Sequence, residues 1–234
     1  LGTITGLTYV NETVFFGSRR TKYNDATDEF KYFTDLWKTN GETQNTILLR
    51  TFNPHLTFNP VAFKGELYFG AWDETNSVEL WKSDGTVTGT KVVSQVTDSL
   101  GTILEQAGTI VAAGNYLYYI TNAAGSYPLV RTDGTQAGTK VIKNLFPGGN
   151  LKDFNLYTAM GLVYLTAHDS DNNRELLWRT DGTAEGTYQL GTFDAFEPSD
   201  FGKPRPAIRI KGEVNGKLLF VPFSRQLGDQ LPDL

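Results

Sequence analysis

Short apolar runs recur along this chain between clusters of Gly, Asn, Asp and Lys. Val14-Phe-Phe-Gly, Leu67-Tyr-Phe-Gly, Leu117-Tyr-Tyr-Ile, Val163-Tyr-Leu-Thr and Leu218-Leu-Phe-Val share one pattern. Aromatic and β-branched residues in short bounded runs predict β-strands. Each run follows a two-residue step: Asn11-Glu12, Lys64-Gly65, Gly114-Asn115, Met160-Gly161 and Asn215-Gly216. Asn-Gly and Gly-Asn steps favour the positive φ of tight hairpins. No long run has helical period, so the chain reads as all-β.

A second phrase follows each of the first four runs. Glu79-Leu-Trp-Lys-Ser-Asp-Gly-Thr86, with Gly89-Thr90 downstream, returns as Leu129-Val-Arg-Thr-Asp-Gly-Thr135 with Gly138-Thr139. It returns again as Leu177-Trp-Arg-Thr-Asp-Gly-Thr183 with Gly186-Thr187, and Leu36-Trp-Lys-Thr-Asn-Gly41 is a worn copy. The anchors Asn40, Asp84, Asp133 and Asp181 are spaced 44, 49 and 48 residues apart. Trp37, Trp81, Val130 and Trp178 each stand three before an anchor.

Each unit reads as four short strands. In the second unit these are Pro60–Phe63, Glu66–Trp72, Val78–Lys82 and Gly89–Val96. Four-stranded units at this period predict a β-propeller, since one such sheet cannot bury both its faces alone. Four units cover roughly 7–56, 57–106, 107–153 and 154–206, and a half unit covers 207–223. The ring therefore has five or more blades, in one domain or as part of a larger propeller. An open β-solenoid or a sandwich is the alternative. The half unit and the absence of an initiator Met suggest a mature form or an excerpt, with further repeats or domains in the full chain.

Repetition itself argues that Asp84, Asp133 and Asp181 are structural. A carboxylate can accept backbone N–H groups two residues on in an Asx-turn, and Gly next to it tolerates left-handed backbone. The Thr hydroxyl is expected to tie the loop to the returning strand, and the Gly of Gly-Thr to allow a sharp bend. Trp37, Trp81 and Trp178 are expected to wedge between adjacent blades. These residues resemble the ELWxxDGT repeat of bacterial secreted and surface proteins over residues 7 to 223. Copy two matches fully. Copy three has Tyr127-Pro-Leu-Val130, copy four inserts a Leu between Glu175 and Trp178, and copy one has Asn40 and Glu42. The resemblance implies an extracellular or cell-surface bacterial setting and a propeller-like architecture, but no activity.

A net charge of −5 and a pI near 5.1, with no basic stripe, exclude a typical nucleic-acid binder. The chain has no cysteine, which excludes disulfides and thiol chemistry. No apolar run reaches membrane-spanning length, so no membrane insertion is expected. No Gly-x-Ser-x-Gly elbow, phosphate loop or dinucleotide fingerprint occurs, and no catalytic constellation is visible.

The turns after strands one and three share one face of a blade, and the variable connections share the other. Ligand-binding candidates cluster on that variable face. They are Arg19, Arg20, Tyr23 and Tyr32 in a long first insertion, Trp72 and Asp73 beside the second loop, Tyr127 beside the third, and His168 beside the fourth. Asp169 and Asp171 offer carboxylates at a spacing that could serve calcium, without the Gly and bidentate Glu of an EF-hand loop; an ordinary polar turn is the competing reading. No other cofactor is implied. The expectation is a non-catalytic module that binds a protein or glycan at the cell surface. A propeller lectin is the alternative, and a glycosidase or lyase the next.

Overall fold

A computed structural model describes residues 3–24, 28–52, 60–72, 78–94, 102–103, 110–123, 126–145, 149–194 and 208–222. Two compact units form, Leu1–Gly148 and Gly149–Leu234. The first sheet contains β1 (Thr3–Val10), β2 (Thr13–Asn24), β3 (Glu29–Thr39) and β4 (Ile47–Phe52). The second contains β5 (Val61–Phe63), β6 (Glu66–Trp72), β7 (Val78–Ser83) and β8 (Lys91–Ser94). A two-residue strand, β9 (Thr102–Ile103), pairs along the second strand of the third sheet, whose main strands are β10 (Ile110–Ala113), β11 (Tyr116–Asn122), β12 (Pro128–Thr132) and β13 (Lys140–Asn144). The second unit holds β14 (Leu151–Ala159), β15 (Leu162–Asp169), β16 (Arg174–Thr180) and β17 (Tyr188–Asp194), then the pair β18 (Ile208–Val214) and β19 (Lys217–Pro222). Apart from β9, neighbouring strands pair antiparallel and in chain order within every sheet.

The first-turn expectation holds. Asn11-Glu12, Lys64-Gly65, Met160-Gly161 and Asn215-Gly216 are left-handed at both positions, while Gly114 alone is left-handed in the third.

Alternate side chains on strands two and three face opposite neighbours. Trp81 joins Phe69 and Ala71 in a cluster with Leu36, Leu49 and Phe52 of the first sheet. Val130 and Tyr119 face Phe63, Tyr68 and Leu80 of the second sheet. Within the first unit the residue three before an anchor, Trp81 or Val130, therefore points at the preceding sheet, and the residue four before it, Leu36 or Leu80, points at the following one. Both faces of the second sheet are apolar because both are covered.

The Asp-Gly-Thr phrase is a closed hydrogen-bond loop, repeated three times. Asp84 Oδ1 accepts the Thr86 N–H at 2.8 Å and the Thr86 hydroxyl at 2.7 Å. The Thr86 hydroxyl accepts the Gly89 N–H at 2.8 Å. The Thr90 hydroxyl donates to the Thr86 carbonyl at 2.7 Å and meets the Ser83 hydroxyl at 2.8 Å. Asp133 and Asp181 build the same network.

The reason expected for Gly89, Gly138 and Gly186 is corrected. None of the three has left-handed φ. A β-carbon on each would instead overlap the carboxylate of Asp84, Asp133 or Asp181. Gly is required there by contact with the Asp. Gly-Thr accordingly belongs to the turn, and the outer strand of the second sheet starts only at Lys91.

The Thr hydroxyl, then the Thr backbone N–H, hold the three Asp carboxyls below the usual range. A depressed native pKa contributes stability above the unfolded value near 4, and that contribution is lost as pH falls through the native value. Thermal melts from pH 7 to pH 2 are expected to show a gap between wild type and an Asp84→Asn/Asp133→Asn/Asp181→Asn variant that narrows below about pH 4. A gap independent of pH would show that the carboxylate charge is irrelevant to the turn.

Candidate functional site

The first insertion is a ribbon, not a loop. β2 and β3 run 12 and 11 residues, against 7 and 6 for β6 and β7. Pairing with β1 reaches Thr3↔Arg19, and pairing with β4 reaches Phe52↔Thr34. Beyond them Arg20↔Phe33, Thr21↔Tyr32, Lys22↔Lys31, Tyr23↔Phe30 and Asn24↔Glu29 continue as a two-stranded arm among the described residues. Thr, Tyr and Phe at alternating positions suit a pleated strand.

An isolated two-stranded hairpin is marginal in water, so the arm needs a fixed base. Asp35 supplies it. Its buried carboxylate accepts Arg20 Nε at 2.6 Å, Arg20 Nη2 at 3.3 Å and the Thr51 hydroxyl at 2.6 Å. The Arg20 guanidinium also lies 4.6 Å over the Phe33 ring. At the tip, Asp28 turns the chain with a φ of 55° and accepts the Tyr23 hydroxyl, which raises the pKa of that phenol.

Residues two apart share a face of the ribbon. One face carries Tyr23, Phe30 and Tyr32, exposed by 44%, 61% and 54%. The Tyr23 and Phe30 rings are 5.0 Å apart and tilted by 53°. Arg19 lies at the root of this face, while Arg20, Lys22 and Lys31 lie on the other. Phe30 was missed in the sequence, although the alternation Phe30, Tyr32 was the signal for it.

The remaining candidates lie elsewhere. Trp72 ends β6, half-buried against the core of the second and third sheets. Asp73 lies outside the described residues. Tyr127 is buried, and its N–H donates to Asn144 Oδ1 at 3.3 Å. His168 is buried within β15 rather than in a loop, with Nδ1 3.0 Å from Glu175 Oε1 on β16. Asp169 is also buried; it accepts the N–H groups of Asp171 and Asn172 at 3.1 and 3.3 Å, and Asn172 Nδ2 at 2.8 Å. Asp171 accepts the Asn150 N–H at 3.1 Å. Both carboxylates cap a turn, and among the described residues no group of three or more His, Cys, Asp or Glu is placed to hold a metal. The structure thus brings together Arg19, Arg20, Tyr23 and Tyr32 of the candidates, and adds Phe30.

No protein-family model and no curated protein matches the chain. Solved structures match in fold. A puromycin hydrolase complexed with PGG superposes with a TM-score of 0.54 at 14% identity, over 93% of this chain and 33% of that one. An exo-β-1,3-galactanase from Phanerochaete chrysosporium gives 0.45 at 11% identity, over 81% of this chain and 49% of that one. A family 117 glycoside hydrolase from the marine bacterium Zobellia galactanivorans gives 0.43 at 12% identity, over 93% and 81%. The chain thus spans a third to a half of the length of the first two. Identity this low carries the fold alone. On the first of these likenesses and the repeated four-stranded antiparallel sheets, the chain has the all-β blade architecture of propeller proteins.

Proposed function

We propose that this chain is a non-catalytic binding module that engages a protein or a glycan through the arm formed by β2 and β3. The observation that carries the reading is three exposed aromatic side chains on one face of a ribbon whose root is locked by Asp35. Exposed contiguous aromatics mark interaction sites, and Tyr is enriched among residues that dominate binding energy. A per-blade lectin fits less well. The strand-two to strand-three connection is extended in the first sheet only, among the described sheets. The ELWxxDGT resemblance supports an extracellular or cell-surface bacterial setting for such a module.

A Tyr23→Ala/Phe30→Ala/Tyr32→Ala variant tests the arm. Its melting is expected to change little, because the side chains are exposed. Binding to a glycan array, or to isolated cell-envelope proteins, is expected to fall by at least ~30-fold, the loss of one binding hot spot. Undiminished binding by this variant would sink the reading.

A further inference from the structure

From Thr34 to the tip of the arm, the edge of β3 has no neighbour among the described residues. The strands of the first sheet run in the order β1, β2, β3, β4, so this edge lies on the β4 side, away from β1. β4 stops at Phe52, which pairs with Thr34. Two residues later stands Pro54, which has no N–H to give to a ladder. Glu29, Phe30, Lys31, Tyr32 and Phe33 pair with β2 alone among the described residues. The first four of them are exposed. An unpaired strand edge is a template for another strand, so folded proteins either guard it or use it.

The side chains along this edge narrow the choice of occupant. Phe30 and Tyr32 present rings on one side, and Glu29, Lys31 and Phe33 alternate on the other. Lys31 stands directly opposite Lys22, and among the described residues neither makes an ion pair. Like charges directly opposite one another are destabilising. The arm thus keeps an uncompensated pair of cations in a chain of net charge −5. A second copy is a poor occupant, because two β3 edges paired antiparallel about Lys31 would set Lys31 against Lys31. A sugar chain is poorly served as well. The Tyr23 and Phe30 rings are tilted by 53° and share no plane for stacking, and the Tyr23 hydroxyl is committed to Asp28.

We infer that the arm binds a protein partner by strand addition, with an extended segment of that partner pairing along β3 from Glu29 to Phe33. The inference rests on the arm being the binding site, and it names the ligand class. Main-chain hydrogen bonds supply affinity in such contacts, and alternate side chains supply specificity. The added segment sets apolar side chains beside Phe30 and Tyr32, an acidic one against Lys31 and a basic one against Glu29. The acid relieves the repulsion between Lys22 and Lys31. Asp35, by holding Arg20 and Thr51, orders the root of the edge before the partner arrives.

The probe is a capped peptide, Thr-Thr-Val-Glu-Val-Lys-Thr, titrated into the full chain and followed by amide NMR. Paired antiparallel, it sets valines beside Tyr32 and Phe30, glutamate against Lys31 and lysine against Glu29. Shifts confined to the arm, and slowed amide exchange between Glu29 and Phe33, are expected. The isomer Thr-Thr-Val-Lys-Val-Glu-Thr is expected to bind about 10-fold more weakly, because both charge pairs become repulsive. N-methylation of the two valines, or of the glutamate and the lysine, blocks alternate amides, and only one of these sets faces β3. One methylated peptide is therefore expected to lose binding and the other to keep it. No binding of the first peptide, equal binding by the two isomers, or equal binding by the two methylated peptides overturns the inference. A glycan whose binding needs Tyr23, Phe30 and Tyr32 also overturns it, yet leaves the arm as the binding site. If Tyr23→Ala/Phe30→Ala/Tyr32→Ala weakens neither peptide nor glycan binding, both readings fall.

Discussion

Replacing Trp81 by alanine is expected to lower stability by about 3–5 kcal/mol, the range for large-to-small changes in a packed core. The indole is 4% exposed and sits between the first and second sheets. Phe52 meets it edge-on, with centroids 5.2 Å apart, and the Arg50 guanidinium lies 4.4 Å over its ring. Its buried Nε1 has no hydrogen-bond partner among the described residues. The effect therefore rests on packing and the ring face rather than on a lost donor. Trp81→Phe keeps a ring for both neighbours and is expected to lose much less than the alanine variant. Trp37→Ala removes the matching indole from a half-buried position, so its cost is expected to be clearly smaller. Urea unfolding followed by far-UV circular dichroism separates the three. An unaltered midpoint for Trp81→Ala would falsify the wedge role; equal losses at Trp37 and Trp81 would show that burial does not set the difference between the two indoles.

The fixed offsets of the repeated phrase were enough to read the four-stranded unit, its first turn and the structural role of Asp84. Offsets say which residues are equivalent but not what touches them. Gly89 was therefore legible as shared by three of the four copies but not as the floor under the Asp84 carboxylate. The arm was visible only as a long spacing, because the same residue count serves a loop or a ribbon. Pairing across Tyr23 and Phe30 decides between them. His168 stands beside Asp169-Ser-Asp-Asn-Asn173, and that polar run reads as a loop. In the structure its strand continues through Asp169, and His168 pairs directly with Glu175. The inserted Leu explains this pair. A shift of one residue along a strand moves a side chain to the other face. Glu79, five before its anchor, shares the Trp81 face. Glu175, six before its anchor, is turned to the opposite face of its strand, where His168 meets it.

The same distinction between equivalence and contact sets up the second large effect, at Gly89. Gly89→Ala drives a β-carbon into the Asp84 carboxylate. Asp84 cannot simply rotate away, because that abandons both Thr86 hydrogen bonds. Overpacking of this kind costs roughly 1–3 kcal/mol. Asp84→Ala alone is expected to cost about 1 kcal/mol, as for the loss of one local side-chain cap. If the carboxylate is what excludes a β-carbon, the two changes cannot add. In the Asp84→Ala background the clash has no second partner, and Gly89 tolerates alanine on backbone grounds because its φ is not left-handed. The double variant is therefore expected to lie close to Asp84→Ala, with a coupling of about 1–3 kcal/mol, the whole cost of Gly89→Ala and within the range for residues in direct contact. Equilibrium unfolding of the four proteins gives that coupling. Additive losses would mean that Gly89 is required by its own backbone and that the Asp84 contact is incidental. Strong coupling would extend to Gly138 with Asp133 and Gly186 with Asp181, making Asp and Gly five residues apart one structural element of the repeat.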